Sequence, residues 1–464
     1  MISGLLERYA ASVPERAFVI DALGNVSARE AAEQLPGLVE VLKECGEERI
    51  CFYAADSARL ILLVLAMEAA GLQCCVLSRQ SQPSEIVAIL ERVGSSTLVT
   101  DSTEAIPVRK LLRIDDLIRD ATARKGTTKP ANSGANSGRE SGTIVVLTTG
   151  TTGTPKAAQY TWQRLLGRIP SREAVQGKTW LLAYPLNHFA GVQVLLAALR
   201  DRSTLVVSAA RDFRTVIDTL IRHKVDSVSG TPTFWRMLVG RITDDEAKRL
   251  SIERITLGGE ASTADLLDRL KTRFPAAAIT QVYATTEAGT CFAVRDGMPG
   301  FPASFLDRPV GNVELKIIDG ELYVRSSACM ISYIDGSPPL TAQQDWMATG
   351  DLVEQTGDRV LFRGRKSEII NVGGVKVHPS KVEETILRVA GVSAVRAYSA
   401  PNPITGQIVA CDIELEDGAD EDAVRAMAQN ACLAALGRYE QPRQLRIVKQ
   451  LERRNEKLVR RGSG

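Results

Sequence analysis

The chain has only three histidines in 464 residues, and none of its eight cysteines forms a Cys-x-x-Cys pair. That scarcity argues against a zinc site. Cys74 and Cys75 are adjacent, a spacing that suits neither an ordinary disulfide nor a metal. Most of the cysteines fall in apolar segments and read as small buried hydrophobes, so the expected compartment is the reducing cytoplasm. A charge of one sign is lacking too. With 57 Lys+Arg against 55 Asp+Glu, neither nucleic acid nor an anionic membrane is expected as the main partner. Long apolar runs are absent. The longest, Leu60 to Met67, is closed off by Arg59 and Glu68, well short of the ~20 residues a membrane span needs. The opening residues lack a basic stretch followed by a long apolar core, and are not read as a secretory signal.

What is present points to α/β architecture. Helical spacing over 27–44 carries a Ser27/Glu30 capping box. Arg49 to Ala54, Gln73 to Leu77 and Thr97 to Thr100 read as strands, with helices over Ser57 to Ala70 and Glu85 to Val93 between them. Alternation of this kind implies a mostly parallel sheet. Residues 122–142, rich in Gly, Ser, Asn and Lys, read as a flexible connection. The alternation resumes from 179 to 290, with strands over Thr179 to Tyr184, Thr204 to Ser208, Arg254 to Gly258 and Thr280 to Tyr283. Short β segments after Pro299 suggest a small barrel or sheet, and the last hundred residues form a separate unit. The expected fold is a large N-terminal domain (1–365) of doubly wound α/β subdomains plus a small β-barrel. A small, mobile α+β C-terminal domain (366–464) follows it.

The most informative stretch is Thr148-Thr149-Gly150-Thr151-Thr152-Gly153-Thr154-Pro155-Lys156, directly after the apolar run 143–147. Glycines let backbone wrap an anion, hydroxyls and amides donate to it, and the lysine adds a point charge. A P-loop NTPase would need Lys preceded by Gly and followed by Ser or Thr. Here Pro155 and Ala157 stand in those places. A Thr/Gly-rich surface turn is the bland alternative, against which the preceding strand and the terminal lysine count.

Further motifs follow in order: Tyr184-Pro-Leu-Asn-His188, Gly258-Gly259-Glu260-Ala261, Tyr283-Ala284-Thr285-Thr286-Glu287, Thr349-Gly350-Asp351, Gly364-Arg365 and a late lysine, Lys457. Together they make the chain resemble, over nearly its whole length, the adenylate-forming superfamily of acyl- and aryl-CoA synthetases, nonribosomal-peptide adenylation domains and luciferases. The resemblance implies activation of a carboxylic acid by ATP and Mg2+ to an acyl-adenylate, then transfer to the thiol of coenzyme A or of a carrier-protein phosphopantetheine.

The resemblance also implies roles. Thr148 to Lys156 would hold the β- and γ-phosphates, with the Gly258–Glu260 segment near the adenine. The Tyr283 ring would stack on adenine, and Thr286 would meet the α-phosphate. Glu287 would hold Mg2+, a hard cation that prefers oxygen ligands. Asp351 and Arg365 would take the ribose. His188 would be a gate or orienting residue between the acyl pocket and the thiol tunnel, and Gly373 and Gly374 would approach the pantetheine arm. Ser367 stands at the hinge. Lys457 would bridge carboxylate and α-phosphate, although Glu452 and Glu456 replace the proline and glycine usual around it.

Each residue has a plainer reading as well. Thr286-Glu287 can be a helix cap with a first-turn acid, Asp351 a turn aspartate, His188 a loop filler and Lys457 part of a solvated basic tail. The acyl pocket expected from the resemblance is lined by Phe189, Ala190, Val192, Gln193, Thr231, Val282 and Ala284. Phe189 stands where amino-acid-activating relatives carry an aspartate, so the expected acid is an apolar aryl or aliphatic one. An acyl carrier protein as thiol donor and a non-catalytic nucleotide-binding protein remain the competing readings.

Overall fold

A computed structural model describes residues 2–124, 142–148, 156–167, 169, 176–326, 329–335, 346–416, 418–451, 453–454 and 457–458. The chain forms a large N-terminal domain built on three sheets and a smaller C-terminal domain built on one.

In the first, seven-stranded sheet, Gln73–Val76, Arg49–Tyr53, Thr97–Thr100 and Lys110–Arg113 run parallel. Thr143–Thr148 joins them in parallel, and Lys156–Thr161 then returns antiparallel beside it. The second sheet has eight strands, with Thr179–Leu181, Thr204–Val206, Ser227–Gly230, Arg254–Gly258 and Ala278–Thr285 parallel at its centre. One continuous core takes side chains from both sheets, among them Phe18, Leu205, Ile50 and Phe52. Helix Ala58–Ala70 lies in that core, buried from Leu60 to Glu68. This explains the near-continuous apolar run read in the sequence: a helix buried on all sides needs no polar face. No described helix is long and apolar enough to cross a membrane.

Local chemistry sets the element boundaries. Helix Ala28–Glu44 starts at the expected capping box, with both Ser27–Glu30 bonds formed. Helix Ala58–Ala70 starts on the Ser57 side chain and stops at Gly71, whose φ of 76° lies in the left-handed region. The expected connection over 122–142 begins too early. Thr122 and Ala123 complete helix Ile114–Ala123, and Arg124 is clamped by Glu44 at 2.5 and 2.8 Å.

The third sheet is antiparallel and five-stranded: Phe301–Pro302, Arg359–Arg365, Met347–Thr356, Glu321–Ser326 and Val313–Ile318 in spatial order. It is an open half-barrel rather than a closed one. In the C-terminal domain, Val392–Asn402 and Gly406–Leu415 form a long antiparallel pair, with Gln444–Val448 parallel to the second of them. Helices Pro379–Leu387 and Glu421–Ala435 close its own core of Ile370, Val382, Val409, Ala428 and their neighbours.

Candidate active site

Gly258, Glu260, Tyr283 and Ala284 lie at or near the ends of parallel strands of the second sheet, where an open α/β sheet builds its sites. Strand Ala278–Thr285 carries Tyr283 and Ala284 into this region, and neighbouring Arg254–Gly258 delivers Gly258 opposite Val282. The Tyr184 hydroxyl donates to the Gly258 carbonyl at 2.8 Å, which joins two of the sequence motifs. Gly259 follows at φ 82°, a conformation that favours glycine.

Tyr283 is the hub. Its ring stacks on Phe292 and Phe362, each at 5.1 Å between centroids, and its hydroxyl donates to Asp351 Oδ2 at 2.6 Å. Burial, with the Asp351 carboxylate next, pushes the Tyr283 hydroxyl well above its ordinary range, so it remains a donor at neutral pH. Asp351 is not the turn aspartate of the plainer reading. It lies inside strand Met347–Thr356, in register with Arg365, and its Oδ1 pairs with Arg365 Nε at 2.7 Å. The Thr-Gly pair that looked like a turn is a distortion within the strand, with Gly350 at φ 74° and the Thr349 hydroxyl accepting from the Asp351 amide. Asp351 is 9% exposed while Arg365 is exposed, so the carboxylate sits at the floor and the guanidinium at the rim.

Thr286 and Glu287 occupy the bend between Ala278–Thr285 and Gly289–Val294, not a helix start. Tyr160 donates its hydroxyl to the Thr286 carbonyl, and Tyr333 donates to Glu287 Oε1 at 2.9 Å. Among the described residues no group of three or more His, Cys, Asp or Glu is arranged to hold a metal. A single carboxylate such as Glu287 suits Mg2+, which keeps several waters and takes substrate phosphates as ligands.

Of the expected phosphate loop, Thr148 and Lys156 are register partners at its two ends. Lys156 is exposed, with its ammonium 5.2 Å above the Tyr333 ring. Thr149, Gly150, Thr151, Thr152 and Gly153 lie outside the described residues. The Lys457 backbone pairs with Arg454 in a two-stranded hairpin.

His188 caps helix Phe189–Arg200 by position, and its amide donates to the Pro185 carbonyl at 3.0 Å. Gly191 is required there, because a Cβ would meet the Pro185 oxygen at 2.1 Å. Asp56, which sequence reasoning missed, pins this turn by accepting from the Leu186 amide at 3.2 Å and from Arg211 at 2.8 Å. Phe189 and Val192 are buried in the main core, with Ala284 packed on it and Tyr160 5.7 Å from the Phe189 ring; Ala190 is half-buried nearby. Two polar candidates are engaged elsewhere. Gln193 donates to the Leu165 carbonyl at 3.1 Å, and Thr231 caps helix Pro232–Val239 through Phe234. Glu260 also serves that helix, its Oε2 accepting from the Thr233 amide and hydroxyl at 3.1 and 2.7 Å.

Ser367 lies exposed in the short 3-10 turn Lys366–Glu368 between the two domains. Gly373 and Gly374 form the exposed turn of a hairpin, with the Gly374 amide bonded to Asn371 and no other atom within 4 Å of where a Gly374 Cβ would stand. A cavity of about 330 Å³ at the domain junction includes Arg236, Arg241, Ser393 and Glu416 in its wall.

Residues 6–334 match the family model described as AMP-binding enzyme, and residues 381–457 the model for the AMP-binding enzyme C-terminal domain. A 3-[(3aS,4S,7aS)-7a-methyl-1,5-dioxo-octahydro-1H-inden-4-yl]propanoyl:CoA ligase of Mycobacterium tuberculosis is 23% identical, over 97% of this chain and 96% of its own. The medium/long-chain-fatty-acid–[acyl-carrier-protein] ligase FadD10 of the same species is 26% identical, over 78% and 73%. The crystal structure of the anthranilate CoA ligase AuaEII with anthranoyl-AMP superposes with a TM-score of 0.83 at 19% identity, covering 99% of this chain and 95% of that one.

Proposed function

Because the chain belongs to the AMP-binding enzyme family, we propose that it activates an apolar aryl or aliphatic carboxylic acid with ATP and passes the acyl group to coenzyme A. The observation that carries the reading is the tie from Tyr283 through Asp351 to Arg365, with Glu287 four residues along the same chain segment. In this reading Asp351 accepts the ribose hydroxyls, Arg365 closes over them, and the Gly258–Gly259 backbone and Tyr283 border the purine. Bound Mg2+ would neutralise phosphate charge from Glu287. Lys156 attracts the terminal phosphates, and the Thr286 hydroxyl orients the α-phosphate.

A substrate carboxylate oxygen then attacks the α-phosphorus and pyrophosphate leaves. Lys457, brought in by the C-terminal domain, balances the charge that grows on the oxygens. In the second step a thiolate sulfur attacks the acyl carbonyl and AMP departs. Lys457 serves the first step only, so the C-terminal domain is proposed to turn about Ser367 for the second, withdrawing the lysine and presenting Gly373 and Gly374 to the pantetheine arm. We place the domain boundary at 365/366 and the enzyme in the cytoplasm. Phe189 in place of an acid leaves nothing there to pair an α-ammonium, which supports an uncharged acyl body.

Loading of a carrier protein is the second reading, favoured by the likeness to an acyl-carrier-protein ligase. Measuring AMP release over a library of carboxylic acids, with free coenzyme A or a panel of carrier proteins as acceptor, tests both. AMP release with an apolar acid and coenzyme A supports the first. Release with carrier proteins alone supports the second, and no release with any acid overturns both.

A further inference from the structure

Resting on the reading of Glu287 as the Mg2+ ligand, we propose that Tyr333 is a positioning residue that sets the Glu287 carboxylate and the phosphate-loop lysine together. Strand Ser332–Tyr333 is laid antiparallel on Lys156–Thr161, the strand that leaves the phosphate loop, with Tyr333 opposite Ala158. Bonds from the Ile331 amide to Gln159 and from the Ile334 amide to Ala157 lock the register at 2.8 and 2.9 Å. Arg164 fixes the approach by donating to the Cys329 and Met330 carbonyls at 2.9 and 3.1 Å. Tyr333 itself is 3% exposed, so its ring has one place to stand.

From that place it does two things. Its hydroxyl donates to Glu287 Oε1, while the Met330 amide holds the Glu287 carbonyl at 2.9 Å. One carboxylate oxygen is thereby anchored, and the other is directed by the same bond. The face of the ring carries the Lys156 ammonium. The ligand for the cation and the charge for the anion are therefore positioned by one side chain. Glu287 and Lys156 lie 131 residues apart in sequence, one in the bend between two strands of the second sheet and the other on a strand of the first, so neither could orient the other locally. Outer partners of metal ligands typically change metal affinity by about 10–100-fold when removed.

The ring and the hydroxyl separate experimentally. Tyr333→Phe keeps the platform under Lys156 and removes the donor to Glu287. ATP affinity is measured by calorimetry on the full chain, once with EDTA and once with saturating Mg2+. The expected result for Tyr333→Phe is an unchanged affinity in EDTA and about a tenfold loss of the Mg2+-dependent gain. The Mg2+ concentration for half-maximal adenylation should rise in step, with the rate recovered at high Mg2+. Tyr333→His, which keeps a ring donor, should restore part of the gain, and it provides the same comparison should Tyr333→Phe not fold. Lys156→Met should weaken ATP equally with and without Mg2+. Equal losses in both conditions for Tyr333→Phe, or no change in either, overturn the assignment. If the wild-type chain itself gains no ATP affinity from Mg2+, the reading of Glu287 fails instead.

Discussion

The two domains are held together internally in different ways. In the N-terminal domain, the candidate site is wired across sheets: Tyr283 of the second sheet bonds Asp351 of the third, and Tyr160 and Tyr333 of the first bond the Thr286–Glu287 bend. The C-terminal domain has its own apolar core, and polar groups face its neighbour across the junction. Ser380 donates to the Arg363 carbonyl at 2.7 Å, Arg269 and Glu416 approach to 3.8 Å, and a cavity lies between them. A partly exposed ion pair of that kind contributes about 0–1 kcal/mol. In the proposed function the first domain holds the nucleotide and the second turns relative to it between the two steps.

The largest predicted effect lies in the C-terminal domain. Lys457→Ala should lower acid-dependent pyrophosphate exchange by about 100-fold or more, while a supplied acyl-adenylate is still converted to thioester. Exchange at the wild-type rate would remove the lysine from the mechanism. In the N-terminal domain, Asp351→Ala breaks the bonds to Tyr283 and Arg365 together. ATP affinity should fall by about 10–100-fold, the scale of a lost charged hydrogen bond. Calorimetry checks this, and an unchanged affinity would detach the ribose from Asp351.

The smallest effect belongs to the junction itself. Glu383 of the C-terminal domain faces Glu260 and Arg236 of the N-terminal one, with Glu384 and Cys411 nearby and the Ala397 amide donating to it at 3.0 Å. Burial foremost raises its carboxyl from 4.5 to about 8. The folded chain then holds a proton that the unfolded chain releases, so this contribution is complete below about 4.5 and is lost as pH climbs through about 8. Glu383→Gln should flatten the fall of melting temperature over that window. An unaltered pH profile would show that the carboxyl is not held protonated there.

The same contrast governs what could be read from the chain. The helix starting at Ser27 was legible because both partners of its capping box lie three residues apart. The strand Arg254–Gly258 was legible from an apolar run closed by glycine, and the segment read over Thr280 to Tyr283 is the middle of strand Ala278–Thr285. Asp351 was placed in the right motif but the wrong element. A Thr-Gly pair favours turns locally, and only pairing with the distant strand at Arg365 holds it extended. Tyr160 and Tyr333 carried no signal, since they look like core residues of strands and their site partners are 126 and 46 residues away. Glu260 and Thr231 were read toward a ligand from the motifs they stand in, and their side chains bond the start of helix Pro232–Val239.

A structure of the chain with ATP and Mg2+ tests the site most directly. The expected result is a purine beside Tyr283 and Gly258, ribose hydroxyls on Asp351 and the metal on Glu287. A nucleotide bound elsewhere, with Asp351 and Glu287 still tied to Tyr283 and Tyr333 alone, would contradict it.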